Sequence, residues 1–122
     1  MKKSFKAYLI DVNAETVTLV NVDKVNGHCL TSIYKFLDCS CMTVATQYDN
    51  GDAIFVNDEG LLTQNEESKF FEVEGAHQPF IGNGLLMGSD EEGDTQDIKT
   101  DFEEFKRKIK FLSIKQIRNK YL

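Results

Sequence analysis

The stretch from Pro79 to Asp97, PFIGNGLLMGSDEEGDTQD, decides the fold of this chain. It contains the only proline, four of the eight glycines and five acidic residues. Three consecutive apolar residues, Leu85 to Met87, lie between a glycine-rich turn and an acidic turn. This pattern predicts a strand near the middle of a sheet, buried on both faces. The flanking glycines allow turns that a Cβ would strain, and so they set where the neighbouring polar side chains point.

Outward from this stretch, alternation of apolar and polar residues predicts further strands. Segment 5–22 contains two such runs across a short polar turn, which predicts a β-hairpin. Segment 42–56 contains two more runs on either side of Asn50-Gly51, a strong hairpin signal. Residues 70–74 predict a short edge strand whose glutamates face water.

Two segments have apolar residues at helical spacing. Residues 28–37 predict a short amphipathic helix. Thr100 and Glu103 match a capping box, which predicts that a second helix begins there. Residues 99–122 are therefore expected to form a helical, basic tail that packs on the sheet or contacts a second subunit. The apolar stripes of this tail are Phe102, Phe105, Ile109 and Leu112, followed by Ile114, Ile117 and Tyr121.

Together these elements predict a single α+β domain over residues 1–122. We expect a mainly antiparallel sheet of about five or six strands, with one short helix and a C-terminal helix packed on one face. The half-polar strands favour an antiparallel sheet that is open to water on one side.

The charges are unevenly distributed along the chain, whose formal net charge is −6. Residues 38–97 carry one lysine and fourteen acidic residues, whereas residues 98–122 carry eight basic and three acidic residues. An acidic body argues against nucleic-acid binding, except through the basic tail. No apolar run has the length of a membrane span, and the N-terminus lacks the features of a signal peptide. We therefore expect a cytoplasmic protein without membrane contact.

Three segments resemble a family of small domains of unknown function that phages, mobile elements and some bacteria encode. They are KAYLIDVNAETVTLVNVD at 6–23, YDNGDAIFVNDEGLL at 48–62 and QPFIGNGLLMGSDEEGDTQD at 78–97. The resemblance covers about residues 5–97 and does not include the basic tail after 105. It implies a small accessory protein, located in the host cytoplasm if a phage encodes it. The family supplies no catalytic residue.

Two loops within the organising stretch contain residue types that bind ligands. The acidic loop has clustered oxygens of the kind that calcium prefers, but its spacing does not match an EF-hand, so a solvated turn is the prediction. Gly82-Asn83-Gly84 lacks the lysine of a phosphate-binding loop, and the acids downstream would repel phosphate. We predict a tight turn there. The acids of the loop are Asp90, Glu91, Glu92, Asp94 and Asp97.

The chain has few candidates for catalysis. Cys39 and Cys41 are separated by one residue, which is not the spacing of a structural zinc site. No nucleophile elbow accompanies either histidine. Asp52 and Asp94 would support acid–base chemistry only if the fold brought them together. The sequence therefore favours a protein that is not an enzyme, with no metal and no cofactor.

Two functional hypotheses remain. The first is a non-catalytic interaction protein whose acidic surface binds a basic surface of a host or phage protein. The alternative is a binding protein for a small ligand (a nucleotide or metal), or a hydrolase, with a pocket near residues 82–95. A homodimer is compatible with either hypothesis. The candidate ligand- or partner-binding residues are Asp52, Asn83, Asp90, Asp94 and Thr95.

Overall fold

The structure is a computed structural model that describes residues 4–25, 27–39, 41–57, 68–76, 78–92 and 94–121. Most of the turn predicted at residues 57–60, and the apolar pair at 61–62, lie outside the described residues.

The described part of the chain contains strands and short helices, in agreement with the predicted α+β class. In chain order they are β1 (Ser4–Asp11), β2 (Thr16–Asp23), α1 (Leu30–Leu37), β3 (Met42–Gln47), β4 (Ala53–Asn57), β5 (Lys69–Val73), β6 (Phe80–Ile81), β7 (Gly84–Ser89), β8 (Thr95–Gln96), α2 (Phe102–Arg107), β9 (Ile109–Ser113) and α3 (Ile114–Tyr121).

The larger sheet has six strands and is antiparallel throughout, which confirms the predicted sheet. Its order is β2-β1-β7-β4-β3, and β8 pairs with the end of β7. Both predicted hairpins are present, as β1-β2 and β3-β4. Gly51 has a positive φ of 97° in the turn between β3 and β4, which explains why the Asn50-Gly51 pair was an accurate signal. The register of β3 against β4 shifts between Val44 and Thr46, where the edge strand carries a bulge.

Strand β7 occupies the centre of this sheet, as its apolar run predicted. Its residues 84–88 are all buried. Successive side chains of a strand point to opposite faces. Leu86 therefore packs with Ile10 and Ile54 on one face, and Leu85 and Met87 pack on the other. A strand that is buried on both faces needs apolar side chains at consecutive positions, which is the feature that its sequence shows.

The sequence did not predict the second sheet, which has three strands in the order β6-β5-β9. Strand β5 lies at its centre, so the prediction of an edge strand at 70–74 is wrong. The first helical stripe expected after residue 100, which was to reach Leu112, is also wrong, because residues 109–113 form β9 and pair with β5. The second expected stripe is present as the C-terminal helix α3. A spacing of three residues places Ile109 and Leu112 on one face of a helix but on opposite faces of a strand, and in β9 they enter different apolar clusters. The available partner strand decides in favour of β9.

The start of α2 differs by one residue from the predicted capping box. Asp101, not Thr100, is the N-cap, and its side chain accepts a hydrogen bond from the Glu104 amide at 3.0 Å. The Thr100 hydroxyl instead donates to Asp52 at 2.6 Å. Hydrogen bonds to a carboxylate are stronger than those between neutral groups, so the Thr100 hydroxyl binds Asp52 and does not cap the helix.

The elements pack in layers around three apolar clusters. One cluster lies between the two sheets and contains Leu86 of the larger sheet and Phe71 of the smaller. A second lies between the larger sheet and α1, where Ile33 contacts the outer face. A third joins α3 to Phe70 on the outer face of the smaller sheet. The sheets approach closely at Gly84, where a Cβ would lie 2.7 Å from the Phe71 ring. No helix in the described residues is long and apolar enough to cross a bilayer.

We expect Leu86→Ala to lower the free energy of unfolding by about 2–5 kcal/mol, because the side chain is fully buried between the sheets. Leu19→Ala is the matched control, since Leu19 is 57% exposed on the same sheet and should change stability by no more than about 0.5 kcal/mol. Urea unfolding of both variants measures the difference. Equal effects would mean that β7 is not the centre of the core.

Candidate partner-binding site

Asp52 is the one charged side chain that is buried among the described residues, with 0% exposure. Its Oδ2 accepts hydrogen bonds from the Thr100 amide at 2.8 Å and from the Thr100 hydroxyl. The Lys99 amide donates to both carboxylate oxygens at 3.0 and 3.2 Å. Buried carboxylates are tolerated only where donors satisfy them. Asp52 therefore fastens residues 99–100 to the turn of the β3-β4 hairpin.

The segment that follows β7 returns along the larger sheet beside β1. Strand β8 pairs with Gly88 and Ser89, and the Lys6 amide of β1 donates to Asp97 Oδ1 at 2.9 Å. A Cβ at residue 88 would lie 2.5 Å from the Asp97 carbonyl oxygen, so the close approach requires glycine. Residues 95–100 are thus held at two places. Residues 95–97 contact β7 and β1, and residues 99–100 bind Asp52.

Asp90 closes the acidic loop between β7 and β8. Its Oδ1 accepts from the amides of Glu92 and Asp94 at 2.9 and 3.0 Å. Its own amide donates to the Asp94 carbonyl at 2.9 Å, and its Oδ2 accepts from the Gln96 side chain at 3.3 Å. This arrangement is a tight turn built on an aspartate. It orients Glu91 and Glu92 outward, where both are exposed.

The turn of the β3-β4 hairpin and the acidic loop meet because β4 pairs with β7. They line a concave region of about 640 Å³, which we call the acidic cleft. Lys99 lies in the same cleft, and its Nζ donates to the Ser89 carbonyl at 3.1 Å. Four carboxylates against one ammonium give the cleft a negative field that attracts cationic groups. The four are Asp49, Asp90, Glu91 and Asp97.

A second depression lies on the outer face of the larger sheet, between the start of α1 and β8. We call it the anchor groove, and its volume is about 520 Å³. Helix α1 covers only part of this sheet face, so Leu30 stays exposed and Met42 and Phe55 are only half-buried, whereas the other apolar lining residues are buried. The apolar lining includes Phe5, Leu30, Ile33, Met42, Phe55 and Met87.

The anchor groove and the acidic cleft are adjacent. Gly51, Ser89 and Gln96 line both of them. Asp94 and Thr95 line the groove, and Asp90 lines the cleft. An apolar depression and an acidic one thus lie side by side at the end of β7.

The structure brings three of the five predicted site residues together. Asp90, Asp94 and Thr95 share the loop and strand after β7. Asp52 is adjacent through Gly51, but it is fully buried and cannot contact a partner. Asn83 precedes β7 and lies about 20 Å from Asp90, given the rise of a strand.

The side chain of Asn83 has a structural role instead. Its Oδ1 accepts from the Val12 amide at 3.0 Å, and its Nδ2 donates to the Phe36 carbonyl at 3.1 Å. These bonds connect the turn after β1 to the end of α1. Asn83 is therefore not a member of the groove or the cleft.

Sequence reasoning missed most of the residues that line the site. Asp49 and Asp97 each adjoin a predicted turn, yet only the β4-β7 pairing places the two turns side by side. The apolar lining was also missed, because the strand pattern that contains Met42 and Phe55 does not show which part of the sheet face α1 leaves uncovered. A sheet order derived from the strand patterns would have exposed both features.

The described residues contain no group of three or more His, Cys, Asp or Glu side chains that could hold a metal ion. Cys29 is buried, Cys39 is half-buried and Cys41 is exposed, and none of the three forms a disulfide bond within the described residues. His28 lines the groove next to Cys29. These residues do not form a recognisable catalytic arrangement within the described part of the chain.

Two tyrosines pack near the Asp52 contacts. Burial, followed by the carboxylates of Asp101 and Asp52, raises the pKa of Tyr8 above its ordinary value. Burial raises the pKa of Tyr48. The Tyr8 hydroxyl donates to the Thr100 carbonyl at 2.8 Å, whereas the Tyr48 hydroxyl has no partner among the described residues.

The fold and the site define a small α+β domain in which the anchor groove lies next to the acidic cleft. The chain belongs to the family described as a domain of unknown function, DUF3846, whose model matches residues 5–110. The match confirms the resemblance noted from the sequence and extends it through α2 into the start of β9. No curated protein and no solved structure matches the chain.

Asp52→Asn should lower the free energy of unfolding by about 1–3 kcal/mol, because the new amide group would oppose the Lys99 and Thr100 donors. Asp94→Asn should stay within about 0.5 kcal/mol, since Asp94 is exposed. Chemical denaturation compares the two. A large loss from Asp94→Asn would show that the acidic loop supports the fold.

The two tyrosines provide a second matched pair. Tyr8→Phe removes a hydrogen bond and should cost about 0.5–1.5 kcal/mol, whereas Tyr48→Phe should leave stability unchanged or raised.

Because both pKa values are raised in the folded state, the unfolded chain loses these protons first above about pH 10, and stability should fall as pH rises through the folded-state values. Urea unfolding of the variants and ultraviolet titration of the phenols test these points. An equal cost for both variants would contradict the assignment for Tyr48.

Proposed function

We propose that this protein is a non-catalytic interaction module whose acidic cleft binds a basic surface of another protein. In the phage or mobile-element setting that the family resemblance implies, the partner is a host or phage protein in the host cytoplasm. The observation that carries the proposal is the convergence of Asp49, Asp90, Glu91 and Asp97 on one concave surface.

The arrangement of these acids supports binding rather than catalysis. Asp90 and Asp97 are held by backbone donors, so their positions are set before a partner arrives. Preorganised groups lose less entropy on binding than mobile ones do. Asp49 and Glu91 stand exposed on either side and are available to cationic side chains.

The charge distribution of the whole chain favours the same function. The excess of acidic residues between 38 and 97 gives a field that accelerates encounter with a basic partner. It also opposes contact with phosphate groups, so nucleic acid would have to use the basic C-terminal elements instead. A protein partner therefore fits the cleft better than a nucleic acid does.

A second candidate function is the binding of a small ligand. The observation that favours it is the anchor groove, whose volume of about 520 Å³ lies within the range of small-molecule sites. A panel of nucleotides, metal ions and uncharged aromatic compounds, screened by thermal shift, tests this candidate. A specific shift of about 2–4 °C would favour it over the protein-binding function.

The main proposal predicts salt-dependent binding of a lysine-rich peptide with glycine and serine spacers. Affinity should fall between about 0.1 and 1 M salt, where the screening length drops from about 10 to about 3 Å. The double variant Asp49→Asn, Glu91→Gln should weaken binding about two- to thirtyfold, from two exposed charge pairs. Isothermal titration calorimetry or fluorescence anisotropy measures both effects.

The control is the double variant Glu74→Gln, Glu103→Gln, which removes two exposed acids outside the cleft. It changes the net charge by the same amount and should bind the peptide nearly as well as the unaltered protein does. If both double variants weaken binding equally, net charge alone attracts the peptide and the cleft is not a site. Salt-independent binding would contradict the proposal as well.

A further inference from the structure

The anchor groove supplies what the acidic cleft lacks, a surface for apolar side chains. Its floor is the outer face of the larger sheet, where Met87 and Phe55 lie beside α1. Leu30 on the helix side is 37% exposed, although it is a large apolar residue. Methionine side chains adapt to differently shaped partners, so the half-buried Met42 suits a groove that accepts more than one apolar side chain.

The shared lining places the two surfaces within reach of one short peptide. Gly51, Ser89 and Gln96 line both, so the groove and the cleft lie on either side of the same few residues. Neighbouring residues of an extended peptide are about 3.3 Å apart. A few residues therefore suffice to place one side chain in the groove and the next in the cleft.

The chemistry of the two surfaces selects the occupant. An anionic ligand would be repelled by the cleft, and a wholly apolar one would leave the carboxylates without partners. A wholly basic segment would gain nothing from the groove. A segment with apolar side chains next to lysine or arginine matches both surfaces.

We propose that the anchor groove and the acidic cleft together bind one peptide segment of a partner protein, in which one or two apolar side chains adjoin a basic residue. This inference rests on the proposed function, because it assigns the basic residue to the cleft. It adds that the partner is recognised by an apolar anchor and not by charge alone.

Four synthetic peptides of equal length test the proposal. They combine a Leu-Leu or Ser-Ser pair with an adjoining Lys-Arg or Gln-Gln pair. The Leu-Leu/Lys-Arg peptide should bind about ten- to a hundredfold more tightly than the Ser-Ser/Lys-Arg peptide. It should also bind more tightly than the Leu-Leu/Gln-Gln peptide, and that advantage should shrink at high salt.

The variant Leu30→Gln, Met42→Gln changes the groove without altering charge, and it should reduce the advantage of Leu-Leu over Ser-Ser to about threefold or less. The control Leu19→Gln, Val44→Gln alters two apolar residues that are 57% and 49% exposed and do not line the groove. It should preserve the full advantage. Thermal melts confirm that both variants are folded.

The outcomes separate the inference from the proposed function. If Leu-Leu and Ser-Ser peptides with Lys-Arg bind equally and depend on salt, the groove takes no part and only this inference is overturned. If neither Lys-Arg peptide binds in a salt-dependent manner, the proposed function itself fails. If the Leu-Leu/Gln-Gln peptide binds as tightly as Leu-Leu/Lys-Arg, the groove acts alone as an apolar site and the joint site is refuted.

Discussion

The burial of β7 on both faces is the constraint on which the rest of the structure depends. Leu86 enters the cluster between the sheets, and Leu85 and Met87 enter the cluster under α1. A strand in this position cannot be displaced without opening two cores at once. Its two ends are therefore held in place where they reach the surface. The acidic loop begins at one of them, which explains how an exposed and highly charged segment can have a defined geometry.

The buried carboxylate of Asp52 links the fixed end of β7 to the segment that follows the acidic loop. Asp52 lies beside the end of β7, because β4 and β7 are paired, and it holds the chain just before α2. The acidic loop is thus bounded by β7 on one side and by an Asp52 contact on the other. Binding sites are more precise when rigid elements support both ends of a loop. The buried carboxylate of Asp52 therefore helps to position the exposed carboxylates of the acidic loop.

The sequence predicted the features that depend on local pattern and missed those that depend on distant pairing. The two hairpins and β7 followed from alternation, from Asn50-Gly51 and from three consecutive apolar residues. Strand β9 was missed because its residues also fit a helix, and only β5 makes the extended form preferable. In the same way, the sequence identified Asp90, Asp94 and Thr95 as candidate binding residues. It did not reveal that Asp49 adjoins them, since this neighbourhood depends on sheet order.

The shifted register within β3 has a consequence for the behaviour of the protein at high concentration. Met42 to Gln47 contains no charged residue and no proline, and among the described residues this strand forms one border of the larger sheet. Such borders offer unpaired amides and carbonyls that can recruit a strand from another molecule and start aggregation. The bulge between Val44 and Thr46 interrupts the regular spacing of these groups. An incoming strand would find matching donors and acceptors over only part of its length. The bulge therefore opposes aggregation at this edge, as lysine or proline does in other sheets.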